Sequence, residues 1–130
     1  MALPRVDLAA ASRNSHLALR RVERQQALIE RLHAARGARL MLGPLAHDLR
    51  VSHRTLARDV DRLRISGVPI RTHRGRGGGV SISYGGALAP IAFDLPEAAA
   101  LMSSLAVLGP SVSQSATSAM QKLAAALQSR

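Results

Sequence analysis

Three arginines, Arg54, Arg58 and Arg62, follow one another at four-residue intervals in the segment 51–64. On a helix this spacing places them on one face, about 160–240° around the axis from Leu56. The opposite face then carries apolar side chains such as Leu56 and Val60. A planar guanidinium group forms two parallel hydrogen bonds to O6 and N7 of guanine. The spacing therefore predicts a helix that packs on its own domain with one face and reads DNA with the other.

The position of each polar residue along this helix predicts its role. In a helix-turn-helix protein the second helix of the motif enters the major groove with its N-terminal residues nearest the bases. The side chains expected to contact bases are His53, Arg54 and Arg58. The side chains expected to hold phosphates, and so fix the register on the duplex, are Ser52, Thr55 and Arg62.

A second group of basic residues follows in a glycine-rich stretch. Two short segments rich in β-branched residues, VPIRTH and GVSISY, enclose the sequence RGRGG. This pattern predicts a β-hairpin whose tip carries arginine. Glycines let a backbone approach a phosphate or enter a narrow minor groove, which attracts arginine. The hairpin side chains added to the predicted DNA contacts are Arg71, His73, Arg74 and Arg76.

Simpler interpretations exist for each feature. Arginines at this spacing also occur on solvated helices, where Asp59 or Asp61 would pair with them for about 0.2–0.5 kcal/mol a pair. Asp59 lies at the edge of the apolar face, so we expect it to hold an arginine in place. The glycine run does not match the nucleotide-binding pattern GxxxxGK[ST]. The five histidines lack metal-ligand spacing and no catalytic triad is indicated, so we expect no metal, no cofactor and no enzyme.

Composition and charge distribution are consistent with a DNA-binding domain at one end of the chain. Residues 1–86 hold sixteen basic and six acidic residues, whereas residues 87–130 are neutral overall. A basic excess confined to one part favours a polyanionic partner for that part. With no cysteine, no signal peptide and no apolar run of about 20 residues, we expect a cytoplasmic, nucleoid-associated protein without a membrane partner. One Phe, one Tyr and no Trp predict an aliphatic core.

Hydrophobic periodicity and capping signals define the elements that position these residues. Five helices are predicted. The first runs from about residue 19 to Gly37, the second over 43–50, and the third over 53–65 behind an N-cap at Ser52. The fourth follows a cap at Asp94 and ends at a break at Gly109 and Pro110, and the fifth runs over about 112–128. The expected fold class is mainly α with a small β-hairpin: a winged helix-turn-helix domain followed by a C-terminal helical pair. The expected domains are an N-terminal arm without regular structure (1–18), the winged domain (19–86) and a helical dimerisation segment (87–130).

The segment VSHRTLARDVDRLRISGVPIRTHRGRGGGVSI resembles the DNA-binding part of the WYL-domain transcriptional regulators, a bacterial winged-helix family. The residues that carry the resemblance are Val51, Ser52, Arg54, Thr55, Arg58, Asp59, Leu63, Gly67, Val68, Pro69, Ile70, Gly75, Arg76, Gly77, Gly78 and Gly79. The resemblance extends into LAPIAFDLPEAAAL and AMQKLAAAL, which are similar to the helices that follow the wing in that family. It implies sequence-specific binding of double-stranded DNA and regulation of transcription. Full-length members continue into a ligand-binding WYL domain, before which this chain stops, so a small-molecule effector is not expected.

The Ala-rich stripes of the last two helices predict a role in assembly. Small side chains let helices approach closely, and DNA readers gain affinity and spacing specificity by doubling. We therefore expect a homodimer through residues 94–128. The alternative is an interaction partner that heterodimerises with, or modulates, a longer regulator, with incidental DNA contact. A non-specific RNA or nucleoid binder is a third possibility, although single-strand binding usually requires aromatic rings.

Overall fold

The computed structural model describes residues 8–109 and 112–129. The elements within these ranges are α1 (Leu8–Ala34), α2 (Leu42–Asp48), α3 (His53–Ile65), β1 (Ile70–His73), β2 (Gly79–Ile82), α4 (Leu95–Leu108) and α5 (Gln114–Gln128). The predicted fold class is confirmed: a helix-turn-helix domain with a hairpin wing, followed by a helical pair. Residues 1–7 of the predicted arm and the predicted break at Pro110 lie outside the described ranges. No helix in the described part of the chain is long and apolar enough to cross a membrane.

The first helix begins earlier than the sequence pattern predicts. It starts at Leu8, so the expectation of an arm without regular structure is wrong for residues 8–18. This first part is rich in Ala and Leu, which favour helix even without a buried face. Extending a helix that is already nucleated requires little further stabilisation. Helix α1 ends at Ala34, and Gly37, the predicted terminator, follows three residues later with a φ of +86°.

Ten buried aliphatic side chains join the first three helices to the hairpin. They are Leu28, Leu32, Leu45, Ala46, Leu56, Val60, Leu63, Ile70, Val80 and Ile82. The rings of Phe93 and Tyr84 both lie outside this core and are about half exposed. The aliphatic core predicted from composition is therefore what holds α3 in place, with its apolar face inward.

The turn between α2 and α3 is short and fixes the start of α3. Arg50 reverses the chain direction with a φ of 58°. Ser52 then caps α3, since its Oγ accepts a hydrogen bond from the backbone N–H of Thr55 at 3.1 Å. This is the predicted N-cap, and α3 has the predicted bounds.

Strands β1 and β2 form an antiparallel hairpin in which Ile70 pairs with Ile82 and His73 with Gly79. We call residues 70–82 the wing. Its inner strand also pairs with Leu40, which exchanges two backbone hydrogen bonds of 2.8 Å with Val80. The sequence pattern did not predict this third short segment, because a single bridging residue has no periodicity. The bridge attaches the wing to the connection between α1 and α2.

Helices α4 and α5 pack against each other and form the helical pair. Asp94 and Glu97 form a reciprocal capping box at the start of α4, as the predicted cap at Asp94 requires. Ser113 caps α5, so the helix begins two residues later than predicted. The Oε1 atom of Glu30 in α1 accepts hydrogen bonds from the Ser115 backbone N–H at 3.3 Å and from its Oγ at 2.8 Å. These bonds attach the start of α5 to the first domain.

Candidate nucleic-acid interface

The arginine row, defined as Arg54, Arg58 and Arg62, lies on the exposed side of α3. On the other side, Leu56 is fully buried and Val60 is 2% exposed. The helix therefore presents one face to the core and one basic face to solvent, as the spacing predicts. Among the described residues the ion pairs are Arg24–Asp59 and Arg31–Asp48, so no carboxylate neutralises the arginine row.

A buried ion pair fixes the orientation of α3. The carboxylate of Asp59 is 0% exposed, and it accepts hydrogen bonds from Nε and Nη2 of Arg24 in α1. Gln25 donates a further hydrogen bond of 3.3 Å to Asp59. The expectation that Asp59 holds an arginine is confirmed, and the alternative of a pair within α3 does not apply to it. With both ends attached to different helices, this bridge limits rotation of α3 against α1.

The start of α3 carries the remaining predicted contacts of that helix. His53 is exposed, and Thr55 is half-buried. The Ser52 hydroxyl donates to Oγ1 of Thr55 at 3.0 Å while it caps the helix. Both hydroxyls therefore have protein partners already, whereas the imidazole of His53 faces solvent beside the arginine row.

The wing presents three exposed cations: Arg71 on β1, and Arg74 and Arg76 at its tip. His73 differs from them because it is half-buried and its Nε2 lies 2.8 Å from Oγ of Ser81. Ser81 is itself only 6% exposed. The side chain of His73 is thus engaged inside the wing, across the hairpin.

Arg39 is a basic residue at the wing that the sequence pattern does not reveal. Its Nη1 donates to the carbonyl oxygen of Gly77 at 3.3 Å, next to Arg76. Arg39 belongs to the irregular connection before α2, where no periodic pattern marks a functional position. Only the bridge between Leu40 and Val80 brings it to the tip of the wing.

Basic side chains from two packed elements therefore lie on the surface of one small domain. Helix α3 contacts strand β1, so the arginine row and the wing belong to one packed domain. In the described part of the chain, no three His, Asp or Glu side chains converge as metal ligands would. The chemistry that the exposed groups offer is hydrogen bonding and charge neutralisation towards an anionic partner.

Comparison with known families agrees with this geometry. Residues 24–80 match the family model described as HTH domain. These residues form a helix-turn-helix domain. The HTH domain extends from the middle of α1 to the second strand of the wing, and it contains the arginine row and Arg39. The chain matches no solved structure.

Proposed function

We propose that this protein binds double-stranded DNA in a sequence-specific manner and regulates transcription, acting in the cytoplasm at the nucleoid. The observation that carries the proposal is the arginine row: three exposed cations, without a described carboxylate partner, on α3, the second helix of the helix-turn-helix motif. The major groove admits an α-helix, and its base edges present a distinct pattern of donors and acceptors for each base pair. We further propose that the chain is related to the WYL-domain regulators through its DNA-binding part.

Within α3 the proposed roles follow the distance from the N-terminus of the helix. His53, Arg54 and Arg58 contact base edges, since the first turns of a recognition helix lie deepest in the groove. Arg62, two turns further on, reaches a phosphate. Ser52 and Thr55 lie at the start of α3, where the unpaired backbone N–H groups and the positive end of the helix dipole favour a phosphate.

On the wing, Arg74 and Arg76 are proposed to contact the sugar–phosphate backbone or an adjacent minor groove, with Arg71 beside them. Arg39 would support this contact by holding the carbonyl of Gly77. We assign His73 to the structure of the wing rather than to DNA, because its ring nitrogen is bonded to the buried Ser81.

The deciding experiment measures fluorescence anisotropy of duplexes that the whole chain selects from a randomised pool. If five to seven phosphates are neutralised, the logarithm of the association constant falls against the logarithm of salt concentration with a slope of about −4 to −6. Arg58→Ala should cost about 1–3 kcal/mol of discrimination at one base pair.

Arg58→Lys is the matched control for that variant. It keeps the charge but loses the two parallel hydrogen bonds. It should retain the salt dependence while losing the base preference. The absence of any duplex affinity at low salt would rule out the proposed function.

We also propose that the protein is a homodimer through residues 94–128. Exposed apolar side chains concentrate in and before α4, among them Leu88, Ile91, Phe93, Leu95, Leu101 and Val107. A stable interface buries about 800 Å² per partner and is apolar at its centre, and these exposed apolar side chains supply such a centre.

The same apolar surface supports the second candidate function, an interaction partner that heterodimerises with or modulates a longer regulator. Light scattering coupled to size exclusion separates the two. A single species of twice the 13.8 kDa chain mass supports the homodimer. A monomer that dimerises only when a longer regulator is added supports the second candidate.

A further inference from the structure

A groove next to the arginine row is lined by α1 and by the turn that precedes α3. Its volume is about 620 Å³, and its lining includes His16 and Arg20 of α1 together with Arg50 of the turn. Arg50 is two residues before the N-cap of α3. The groove therefore opens at the end of α3 that is proposed to enter the major groove. Most of its α1 wall lies before residue 24, outside the matched HTH domain.

The α1 wall of this groove is part of a basic stripe. Arg13, Arg20 and Arg24 are seven and four residues apart, which are spacings that bring helical side chains to one face. Arg24 is bonded to the buried Asp59, and this bond fixes which face of α1 is turned towards α3. Arg20 lies one turn further out. Arg13 lies about 10 Å beyond Arg20, a distance equal to the rise of roughly three base pairs.

Apart from Arg24, the cations of the groove and of the α1 stripe form no ion pair in the described part of the protein. Arg13, Arg20 and Arg50 are exposed and form no ion pair with a described carboxylate. Arg20 donates through Nε to Nε2 of His16 at 3.1 Å, which leaves its two Nη groups as donors. Glu23 is the one carboxylate that lines the groove, so the cations outnumber it.

The backbone at Arg50 gives an independent reason to assign a role to this side chain. Its φ of 58° lies in the left-handed region, where Gly and Asn are tolerated and other residues are strained by about 1–2 kcal/mol. Such strain is commonly found at functional sites. An arginine at this position is costly for the turn alone, yet it brings a cation to the start of α3.

We infer that Arg50, Arg20 and Arg13 form a second phosphate-binding surface, which contacts the DNA backbone flanking the sequence read by α3. The inference rests on the proposed function and extends its contact with DNA by about three base pairs on the side of α1. Phosphate contacts of this kind carry no sequence information but add affinity and fix the register.

The test compares the wild-type chain with a double variant, Arg13→Gln together with Arg20→Gln, on two duplexes. One duplex is trimmed to the base pairs that the selection specifies, and the other keeps about 10 base pairs of flanking DNA on each side. On the long duplex the salt slope should become shallower by about 1.8, because each phosphate that is no longer neutralised reduces it by about 0.9. On the trimmed duplex the slope should not change. Arg21→Gln, which removes an exposed charge from a different face of α1, is the control and should alter neither slope.

Arg50→Asn tests the inner edge of the groove without straining the turn. Asn tolerates the left-handed conformation, so the free energy of unfolding should be equal or higher while the salt slope becomes shallower by about 0.9. Unchanged slopes in all groove variants, with normal wild-type binding, would overturn the inference and leave the proposed function intact. If the double variant changes the slope equally on both duplexes, Arg13 and Arg20 contact phosphates within the trimmed site, and their assignment to flanking DNA is wrong. Failure of the wild type to bind any duplex would instead reject the proposed function.

Discussion

The carboxylate of Asp59 is a charge enclosed by an aliphatic core, so its partners determine how α3 can pack. Burying an unpaired carboxylate is costly, and the cost is offset here by hydrogen bonds from Arg24 and Gln25. Both donors belong to α1. Asp59, at the edge of the apolar face of α3, thereby links the orientation of the arginine row to helix α1, on which α3 packs.

Removing the partner of this carboxylate should destabilise the whole domain. We expect Arg24→Ala to lower the free energy of unfolding by about 3–5 kcal/mol, because Asp59 remains buried without its cation. Arg31→Ala is the control, since Arg31 pairs with Asp48 on the surface, where both side chains are about half exposed. That change should cost under about 1 kcal/mol. Urea unfolding followed by circular dichroism measures both, and equal destabilisation by the two variants would contradict a structural role for the buried pair.

At the residue scale, the sequence predicts which side chains lie on each face of α3, but not the distant side chains that hold the helix in place. Ser52 and the arginine row are evident from local spacing alone, because a cap and a helical face involve residues within a few turns. The partner of Asp59 lies 35 residues away in the chain. There are sixteen basic residues before position 87. The packing of α1 against α3 decides which of them pairs with Asp59, and no local sequence pattern predicts that packing.

At the scale of elements, the wing depends on a close backbone approach to the connection between α1 and α2. Gly79 begins β2 with a φ of +104°, and a Cβ at this position would lie 2.5 Å from the carbonyl oxygen of Leu40. Leu40 is the residue that pairs with Val80. The sequence predicts the glycines as flexible turn residues, and this is correct for the tip. The close packing at Gly79 was not predictable, because the bridge to Leu40 was not.

Replacing Gly79 should therefore separate the wing from the domain. We expect Gly79→Ala to lower the free energy of unfolding by more than the roughly 1–3 kcal/mol of left-handed backbone strain, since a clash with backbone atoms is added to that strain. Gly77→Ala is the matched control: its φ is +72°, but nothing lies within 4 Å of the new Cβ. It should show only the strain. Thermal unfolding of both variants gives the difference, and a Gly79→Ala protein as stable as the Gly77→Ala protein would contradict the close approach.

Helix α1 illustrates the opposite limit of prediction at this scale. Its buried second half is marked by periodic apolar residues, including Leu28 and Leu32. Its first half has no such pattern, because the described side chains there are exposed or half exposed and need not alternate. Helix formation there follows from composition and from continuity with the buried half. Periodicity therefore predicts the part of a helix that packs, and it does not mark where the helix begins.

At the scale of the whole molecule, the helical pair is attached to the HTH domain at few points. Glu30 accepts two hydrogen bonds from Ser115, and the buried side chain of Val112 lies just before α5. Helix α5 has no fully buried residue among those described, although five of its apolar side chains are half-buried. The sequence predicts α4 from its cap at Asp94 and the last helix from its apolar stripe, without its cap at Ser113. Which surface the two helices leave exposed depends on how they pack against each other, and the sequence does not provide that arrangement.

That open surface is the basis for the proposed homodimer. An apolar groove of about 520 Å³ lies between α4, α5 and the preceding segment, and its walls include Phe93, Leu95 and Leu127. Leu95 is 49% exposed in the first turn of α4, where a carboxylate is compatible with the helix dipole. A charge can therefore be introduced there without disturbing the folded monomer.

Leu95→Glu should dissociate the dimer and leave the monomer folded. Placing a carboxylate in an apolar interface without a partner is unfavourable, so the dimer dissociation constant should rise by at least about tenfold, equivalent to about 1.4 kcal/mol. Light scattering should then report the mass of one chain, and footprinting should show loss of cooperative occupancy of two half-sites while one half-site is still bound. Leu17→Glu, a matched change at an exposed position of α1, should preserve the dimer. A Leu95→Glu protein with unchanged dimer affinity would exclude this groove as the interface, because the altered side chain forms one of its walls.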